Sequence, residues 1–590
     1  MLTTILPDLF CFRDSCRMYI LRQGDSAILV DYGSARVLDA LPEIGVRRVT
    51  DILITHHHRD QCQGLNERVP GGARVWVPES EAGLFGGVEA HMSHRALMLN
   101  YDMRLDRFSL LRDFEGALLL KDYARLELGD LEVEVLPAPG HTTGGVTLWA
   151  EVGGVKTVFC GDLIAAPGQL WSIAATQWTY NGGEGLALTA ATLADLKRRA
   201  PDLLLPSHGE PIFRPDEAVD LTLERLFTLV RHRRQNPRLN RLLDCPYEPV
   251  TPHLLFNKTS VANSYVLLSA SGGALVFDFG YDFMGGIAPG ADRSVRRPWL
   301  YTLPQMKRAW GVKRIEAAVP THYHDDHVAG LNLLRQVEGA QVWIPANFAR
   351  ILADPTRYDL PCLWFDPIHA DRELPLGERI EWREWAFTLY ALPGHTRFAA
   401  AILVEVDGRR ALLVGDAFRD EAGSLWNYTY QNRVRPEDWP AAARLIRALA
   451  PDLLLTGHSD PIQVEPAFLD HLERSASELE RLHLDLMPHG AEQFEARLEP
   501  YQAAFTPGQP LAAELVIYNP LDCPAEVTAR LSLPDGWACE PADRRAVAKP
   551  GGEVTLEFIL RGEKPGRAAA YIGVNGEPLG SICEMVLKTS

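Results

Sequence analysis

The chain carries two textures of apolar and polar positions. Up to about Met487, short apolar runs end abruptly in polar clusters, and longer stretches with helical periodicity lie between them. Asp51-Ile52-Leu53-Ile54 runs into Thr55-His56-His57-His58, and Glu316-Ala317-Ala318-Val319 precedes Thr321-His322-Tyr323-His324. Leu131 to Leu136 alternates apolar with acidic residues, as a half-buried strand does, and Phe387 to Tyr390 occupies the corresponding place. Val158-Phe159-Cys160 and Leu412-Leu413-Val414 are short buried runs that lead into Gly161-Asp162 and Gly415-Asp416. Leu221 to Val230 and Phe468 to Leu484 have the helical period. Strands alternating with helices predict an α/β architecture, with polar residues emerging from loops at strand ends. After Met487 the period falls to two, in Leu511 to Ile517 and Glu553 to Phe558. Turn formers such as Thr506-Pro507-Gly508, Pro534-Asp535-Gly536 and Lys549-Pro550-Gly551-Gly552 separate the runs. That pattern predicts an all-β sandwich over residues 489–590.

The first texture occurs twice. Ala200-Pro201-Asp202-Leu203-Leu204-Leu205 followed by His208 recurs as Ala450-Pro451-Asp452-Leu453-Leu454-Leu455 followed by His458. Pro139-Gly140-His141-Thr142 recurs as Pro393-Gly394-His395-Thr396, and the Gly-Asp pairs and histidine clusters recur in the same order. Ordered matches at drifting offsets mean a duplicated domain with loop insertions. The expected domains are 1–245, 246–488 and 489–590.

Composition narrows the function classes. A net charge of −18 leaves no broad basic field for a nucleic-acid backbone. Arg231-His232-Arg233-Arg234, with Arg238 and Arg241, reads as a helix end and linker. No apolar segment reaches the roughly 20 residues that span a bilayer. Met1 to Phe12 lacks the charged-then-apolar pattern of a secretory leader. The nine cysteines include no C-x-x-C pair, so a reducing cytoplasm is the expected setting, with a Cys11–Cys16 disulfide left open. A small-molecule substrate is expected, with neither nucleic acid nor membrane as partner, and a homo-oligomer is left open.

The chemistry concentrates in the histidine clusters. His322, His324, Asp326 and His327 place three imidazoles and a carboxylate within six residues, and these groups are first-choice ligands for zinc. A lone histidine is more often an ordinary surface or core residue; four such groups in one segment, repeated as a theme, reverse that reading. The order His-x-His-x-Asp-His, then Gly-His, then Gly-Asp, then a last His resembles the metallo-β-lactamase superfamily, over nearly all of residues 1–240 and 250–485. The resemblance implies two tandem αβ/βα four-layer sandwiches. It implies that His322, His324 and His395 hold one metal, that Asp326, His327 and His458 hold a second, and that Asp416 bridges them. In the first copy it assigns His56, His58, Asp60, His141, Asp162 and His208 to the same places.

Gln61 stands where the first copy should have a histidine. A neutral amide is a weaker zinc ligand than imidazole. A two-metal site, a one-metal site and a retained structural domain are the readings left open there, with partial or single occupancy preferred. The expected cofactor is Zn2+, two ions in the second copy and one or two in the first, with Mn2+ or Fe2+ as alternatives. Zinc lowers the pKa of a bound water to about 7, and a metal pair ~3.5–4 Å apart stabilises the developing oxyanion. Asp326, Asp416 and Asp60 are the expected catalytic carboxylates, Asp326 orienting the water. The implied reaction is hydrolysis of an ester, thioester, lactone, amide or phosphodiester in a small molecule. Histidine at 58 and 324, where glutamate would hint at an iron oxygen reductase, favours hydrolysis over redox work.

Weaker signals remain. A repeated aromatic segment follows each Gly-Asp pair, so Trp178, Tyr180, Trp426, Tyr428 and Tyr430 are candidates to line a substrate pocket, against the alternative that they simply pack the fold. His91 and His94 share a helical face but have no counterpart in the second copy, and read as surface residues. His57 reads as a spacer like Tyr323, and Cys62 and Cys160 as small buried residues. Arg397 and Arg433 read as solvated or paired, with contact to an anionic substrate as the alternative. The C-terminal region loosely resembles immunoglobulin-like appendages, which assigns it no function. Alternative readings are a nuclease or phosphodiesterase of the same superfamily, disfavoured by the acidic balance, and a metal-stabilised scaffolding role for the first copy. β-Lactam hydrolysis is possible but not preferred.

Overall fold

The computed structural model describes residues 2–93, 108–176, 178, 185–233, 245–257, 259–281, 293–419, 425–487 and 494–589. The chain divides into two compact units: Met1–Tyr247 with Lys258–Val261 and Tyr281–Gly311, and Glu248–Asn257 with Ala262–Gly280 and Val312–Ser590.

In the first unit, seven strands from Leu2–Leu6 to Leu118–Leu120 pair in chain order. Five more pair in the order Leu203–Pro206, Val155–Gly161, Val146–Val152, Leu131–Pro137, Arg125–Leu128. Apolar side chains from both sheets, among them Tyr19, Leu53, Leu148 and Phe159, form one buried core. The opposite face of each sheet carries its own apolar cluster. One includes Val37, Leu41 and Phe85; the other includes Leu186, Leu193, Val219 and Leu226 from helices Gly185–Arg198 and Pro215–Arg233. Two sheets covered on both faces make the expected four layers. The second unit repeats them, with a seven-strand and a six-strand sheet around a core that includes Phe277, Phe387 and Leu455. Helices Asp438–Leu449 and Pro466–Leu486 cover one face.

The units cut the chain differently from the repeat. Tyr281–Gly311 lies by sequence inside the second copy, between strands Gly273–Phe277 and Arg314–Val319, yet it belongs to the first unit. Buried Arg297 pairs there with Asp122 and donates to the carbonyls of Thr143 (3.3 Å) and Gly145 (3.0 Å), just past His141. Trp299 and Tyr301 join the core beside Leu186 and Leu193. The C-terminal strands belong to the second unit. They form a four-strand and a five-strand sheet around one core that includes Leu515, Phe558, Ile572 and Met585. Arg357 holds them to the metal-binding fold through Glu499 (3.1 Å) and Glu514, and its carbonyl accepts from the Tyr501 amide (2.9 Å).

Two local devices recur in both copies. Gly161 (φ 55°) and Gly415 (φ 51°) sit at a register shift where the strand ends, turning the next aspartate out of the ladder. A Cβ on Gly415 would also stand 2.7 Å from Thr321 Oγ1, so no side chain fits. Asp31 (φ 58°) and Asp278 (φ 56°) take the same left-handed backbone where a strand ends. No helix among the described residues is long and apolar enough to cross a membrane. Cys11 and Cys16 are thiols with no disulfide between them.

Candidate metal centres

Strand Arg314–Val319 delivers His322 and His324, and the short helix Asp325–Val328 carries Asp326 and His327. His395 follows strand Trp385–Ala391, Asp416 follows Arg409–Gly415, and His458 follows Leu453–Thr456. Ligand atoms of His322, His324, His395 and Asp416 lie within 4.8 Å of one another, and so do those of Asp326, His327, Asp416 and His458. Asp416 belongs to both groups. Its Oδ1 stands 3.0 Å from His327 Nε2, and its Oδ2 stands 3.0 Å from His458 Nε2 and 3.6 Å from His395 Nε2. His322 Nε2 is buried without a hydrogen-bond partner among the described residues. A buried, unmet nitrogen aimed into a cluster of donors is what a metal ligand needs before its ion arrives.

The electrostatics agree. Burial, reinforced by neighbouring histidines, holds His322 well below the usual imidazole range and His324 down to about 4, so both are neutral donors. Burial would also lower His327 and His458, but Asp416 and its neighbouring carboxylates outweigh it and raise His458 to about 10. Those protons supply positive charge that the carboxylates demand, and a divalent ion would supply it better.

Residues outside the sequence-predicted set hold these ligands in place. Asp278 accepts from the Thr321 amide (2.6 Å), the Thr321 hydroxyl (2.8 Å) and His327 Nδ1 (2.9 Å). Asn427 accepts through its carbonyl from His395 Nδ1 (3.0 Å) and donates to the Asp416 carbonyl (3.0 Å). Asn432 donates to the His395 carbonyl (3.1 Å), and its Oδ1 accepts from the Tyr323 hydroxyl (2.9 Å) and His324 Nε2 (3.3 Å). Such partners fix ring orientation and tautomer. A signal for Asp278 was present: Asp31-Tyr32-Gly33 recurs as Asp278-Phe279-Gly280.

The first copy assembles differently. His56, His58 and His141 bring their ligand atoms within 4.8 Å, and Asp162 Oδ2 stands 3.6 Å from His56 Nε2 and 3.4 Å from His141 Nε2. Asp60 reaches His208 Nε2 at 3.3 Å. His208 turns Nδ1, not Nε2, toward its aspartate (2.9 Å), with Nε2 3.2 Å from the Ser15 carbonyl and Trp171 stacked on its ring at 4.0 Å. Gln61 donates weakly to Asp162 (3.4 Å), and its Oε1 is buried without a hydrogen-bond partner among the described residues. The three-histidine group fits a metal; the second group has one imidazole where its counterpart has two.

The sequence profile described as the metallo-beta-lactamase superfamily matches residues 12–208 and again 258–458. The chain belongs to the metallo-β-lactamase superfamily. The hydroxyacylglutathione hydrolase of Hahella chejuensis is 29% identical over 170 residues, 28% of this chain and 53% of that protein. That of Pseudomonas savastanoi pv. phaseolicola is 33% identical over 142 residues, 24% of this chain and 43% of that protein. The chain thus spans about half the length of the curated relatives it matches. Among solved structures, the FEZ-1 metallo-β-lactamase of Legionella gormanii shares 17% identity at a TM-score of 0.31, covering 41% of this chain and 96% of that one.

The predicted substrate residues of the second copy, Trp426, Tyr428 and Tyr430, do not line its metal cleft. The second metal cleft, about 580 Å³, is lined by Asn427, Thr429 and Asn432 together with His324, Asp326, His395, Asp416 and His458. Tyr428 and Tyr430 point the other way, because neighbours in an extended segment face opposite sides. Tyr428 packs on Trp439, the Tyr430 hydroxyl donates to His483 Nε2 (3.0 Å), and Trp426 is buried with its Nε1 donating to Ser475 (3.2 Å). Trp178 is buried behind the Gly140 loop, against Gly185. Tyr180 lies outside the described residues, as do His94, Arg234, Arg238 and Arg241. His91 meets the Ser109 hydroxyl (3.1 Å) and joins no metal group. His57 pairs with Glu81 (3.1 Å), and Cys62 and Cys160 are buried.

Proposed function

We propose that the second copy is a two-metal hydrolase acting on a small-molecule ester or thioester, and that the first copy holds a single ion on His56, His58 and His141. The observation that carries the reading is Asp416, which belongs to both ligand groups and lines an open cleft. Bound there, two divalent ions supply an acidified water and polarise the bond to be cleaved. The chain's own residues do the rest. Asp326, with Oδ2 3.4 Å from His458 Nε2, is placed to orient that water and accept its proton. Asp278, Asn427 and Asn432 keep the imidazoles in the tautomers that binding requires. Thr429 offers a neutral hydroxyl to a substrate in the cleft. A thioester is preferred within the class because the curated relatives are hydroxyacylglutathione hydrolases.

The test combines elemental analysis with turnover of a panel of thioesters, esters, lactones, β-lactams and phosphodiesters by the full chain. We expect roughly three zinc ions per chain and fastest turnover of a thioester, abolished by chelation. Preferred turnover of a phosphodiester would favour the nuclease reading, and metal-free protein with full activity would sink the proposal.

A further inference from the structure

Beside the second metal cleft lies another cavity of about 880 Å³. Its walls come from two layers of the second unit: Tyr430, Arg433 and Arg435 from the metal-binding fold, and Arg497, Tyr518 and Ile582 from the C-terminal sheets. Pro361 lines both cavities. The segment 429–433 divides between them, Thr429 and Asn432 facing the metals and Tyr430, Gln431 and Arg433 facing the second cavity. A molecule in this cavity therefore lies one short segment of chain away from the metal ligands.

Three arginines, Arg433, Arg435 and Arg497, line the cavity together with two carboxylates, Asp359 and Glu495. Arg433 stands 3.3 Å from Glu495, and Arg497 is paired with Glu499 (2.9 Å) and Glu553 (3.0 Å). Arg435 is held by stacking, with its charge also acting on Glu553 and Asp438. Its guanidinium carbon lies 3.7 Å above the Tyr518 ring, and its Nη2 is buried with no hydrogen-bond partner among the described residues. A guanidinium held flat against an aromatic face, with an unmet buried N–H, is preorganised for a carboxylate or phosphate, which accepts two parallel hydrogen bonds from such a fork. Arg433 is lowered from its usual range by burial and then by the charge of Arg497, a repulsion that an anion between them would relieve.

We propose that this cavity binds a carboxylate or phosphate at the end of the substrate remote from the cleaved bond, with Arg435 as its main contact and Tyr518 as the support of that arginine. The C-terminal sheets would then complete the substrate site. Assigning the anion to a substrate rests on the hydrolase reading; the existence of the anion site does not.

Isothermal titration of the zinc-loaded full chain with glutarate, and separately with inorganic phosphate, tests this. Wild type should bind at least one of them at one site per chain, and the tighter of the two identifies the group. Arg435→Gln should weaken that binding at least about tenfold with unchanged zinc content. Gln431→Glu, which adds a like charge at the exposed rim and leaves the arginine stack alone, should weaken it too, and decides the matter if Arg435→Gln is unstable. Binding of neither anion, or equal binding in wild type and Gln431→Glu with Arg435→Gln either equal or misfolded, overturns the proposal. Absence of turnover with retained, Arg435-dependent binding would instead refute the hydrolase reading alone.

Discussion

The two metal-binding folds of this chain share a ligand plan and differ at a coupled pair of positions. The second copy has His327 and Gly457; the first has Gln61 and Ser207. In the second copy a Cβ at Gly457 would overlap Asp416 Oδ1 and stand 2.8 Å from His327 Cε1, so imidazole and side chain exclude one another. In the first copy the Ser207 hydroxyl occupies the vacated role, donating to Asp31 Oδ2 at 2.6 Å, while His327 Nδ1 donates to Asp278 at 2.9 Å. The buried aspartate keeps a donor in both copies, but in one the donor belongs to a candidate metal group and in the other it is an inert hydroxyl. The second cleft is lined by His324, His395 and Asp416, and a cavity of about 1070 Å³ in the first unit is lined by Trp171 and His208.

The largest expected contrast is between the bridging aspartates. Asp416→Ala should remove about two zinc ions and lower kcat/KM at least about 10³-fold, since metal activation supplies several kcal/mol of the barrier reduction. Asp162→Ala should remove about one ion at most and leave turnover within about threefold. Elemental analysis with steady-state kinetics checks both, and equal losses would erase the asymmetry.

Exchanging the coupled pair sharpens the comparison next. Gln61→His combined with Ser207→Gly should add about one zinc ion to the first copy, while Gln61→His alone should add less because Ser207 crowds the new ring. Gly457→Ser should displace the second ion of the second copy. Zinc stoichiometry at fixed free metal decides, and a single mutant that matches the double would break the coupling.

The supporting aspartates give a smaller, pH-dependent contrast. Burial raises Asp31 to about 7, against the lowering effect of its hydrogen bonds from Ser207 and Thr55. Its unfolded value is about 3.9, so the folded state binds more protons between pH ~4 and ~7, and stability from this group falls as pH rises through that window. Chelator-treated Asp31→Asn should therefore lose part of that decline, read as a flatter melting temperature from pH 5 to pH 8. Asp278→Asn should instead weaken zinc binding about 10–100-fold, because it frees the ring of a ligand.

The smallest effects separate two faces of one segment. Tyr430→Phe, which removes a hydroxyl that meets His483 and Tyr428, should change kcat/KM by less than about twofold, whereas Asn432→Ala should cost about tenfold through His324 and His395. A larger loss at Tyr430 than at Asn432 would restore the tyrosine as a substrate residue.

The sequence by itself determined the duplication, the α/β layers, the all-β C-terminus and which residues gather in the second candidate metal group. Ligands are legible because a metal accepts few residue types, and strand ends fix where they emerge. The strand before Thr321 and the Gly415-Asp416 pair illustrate this: period, glycine and carboxylate each leave a local mark. What only the tertiary structure decided is what faces what. Tyr428 and Asn427 are neighbours in sequence, yet one side chain packs on Trp439 and the other donates to the Asp416 carbonyl, because an extended segment assigns alternate side chains to opposite faces and sequence does not say which face meets the candidate metal group. The exclusion between His327 and a side chain at 457 is likewise invisible in a string of letters, since it is a contact between atoms 130 positions apart. The same holds for Tyr281–Gly311, whose apolar Trp299 and Tyr301 read as any buried pair until folding places them in the core of the first unit. Local chemistry is written in composition and period; partnership depends on distances that arise only when the chain has packed.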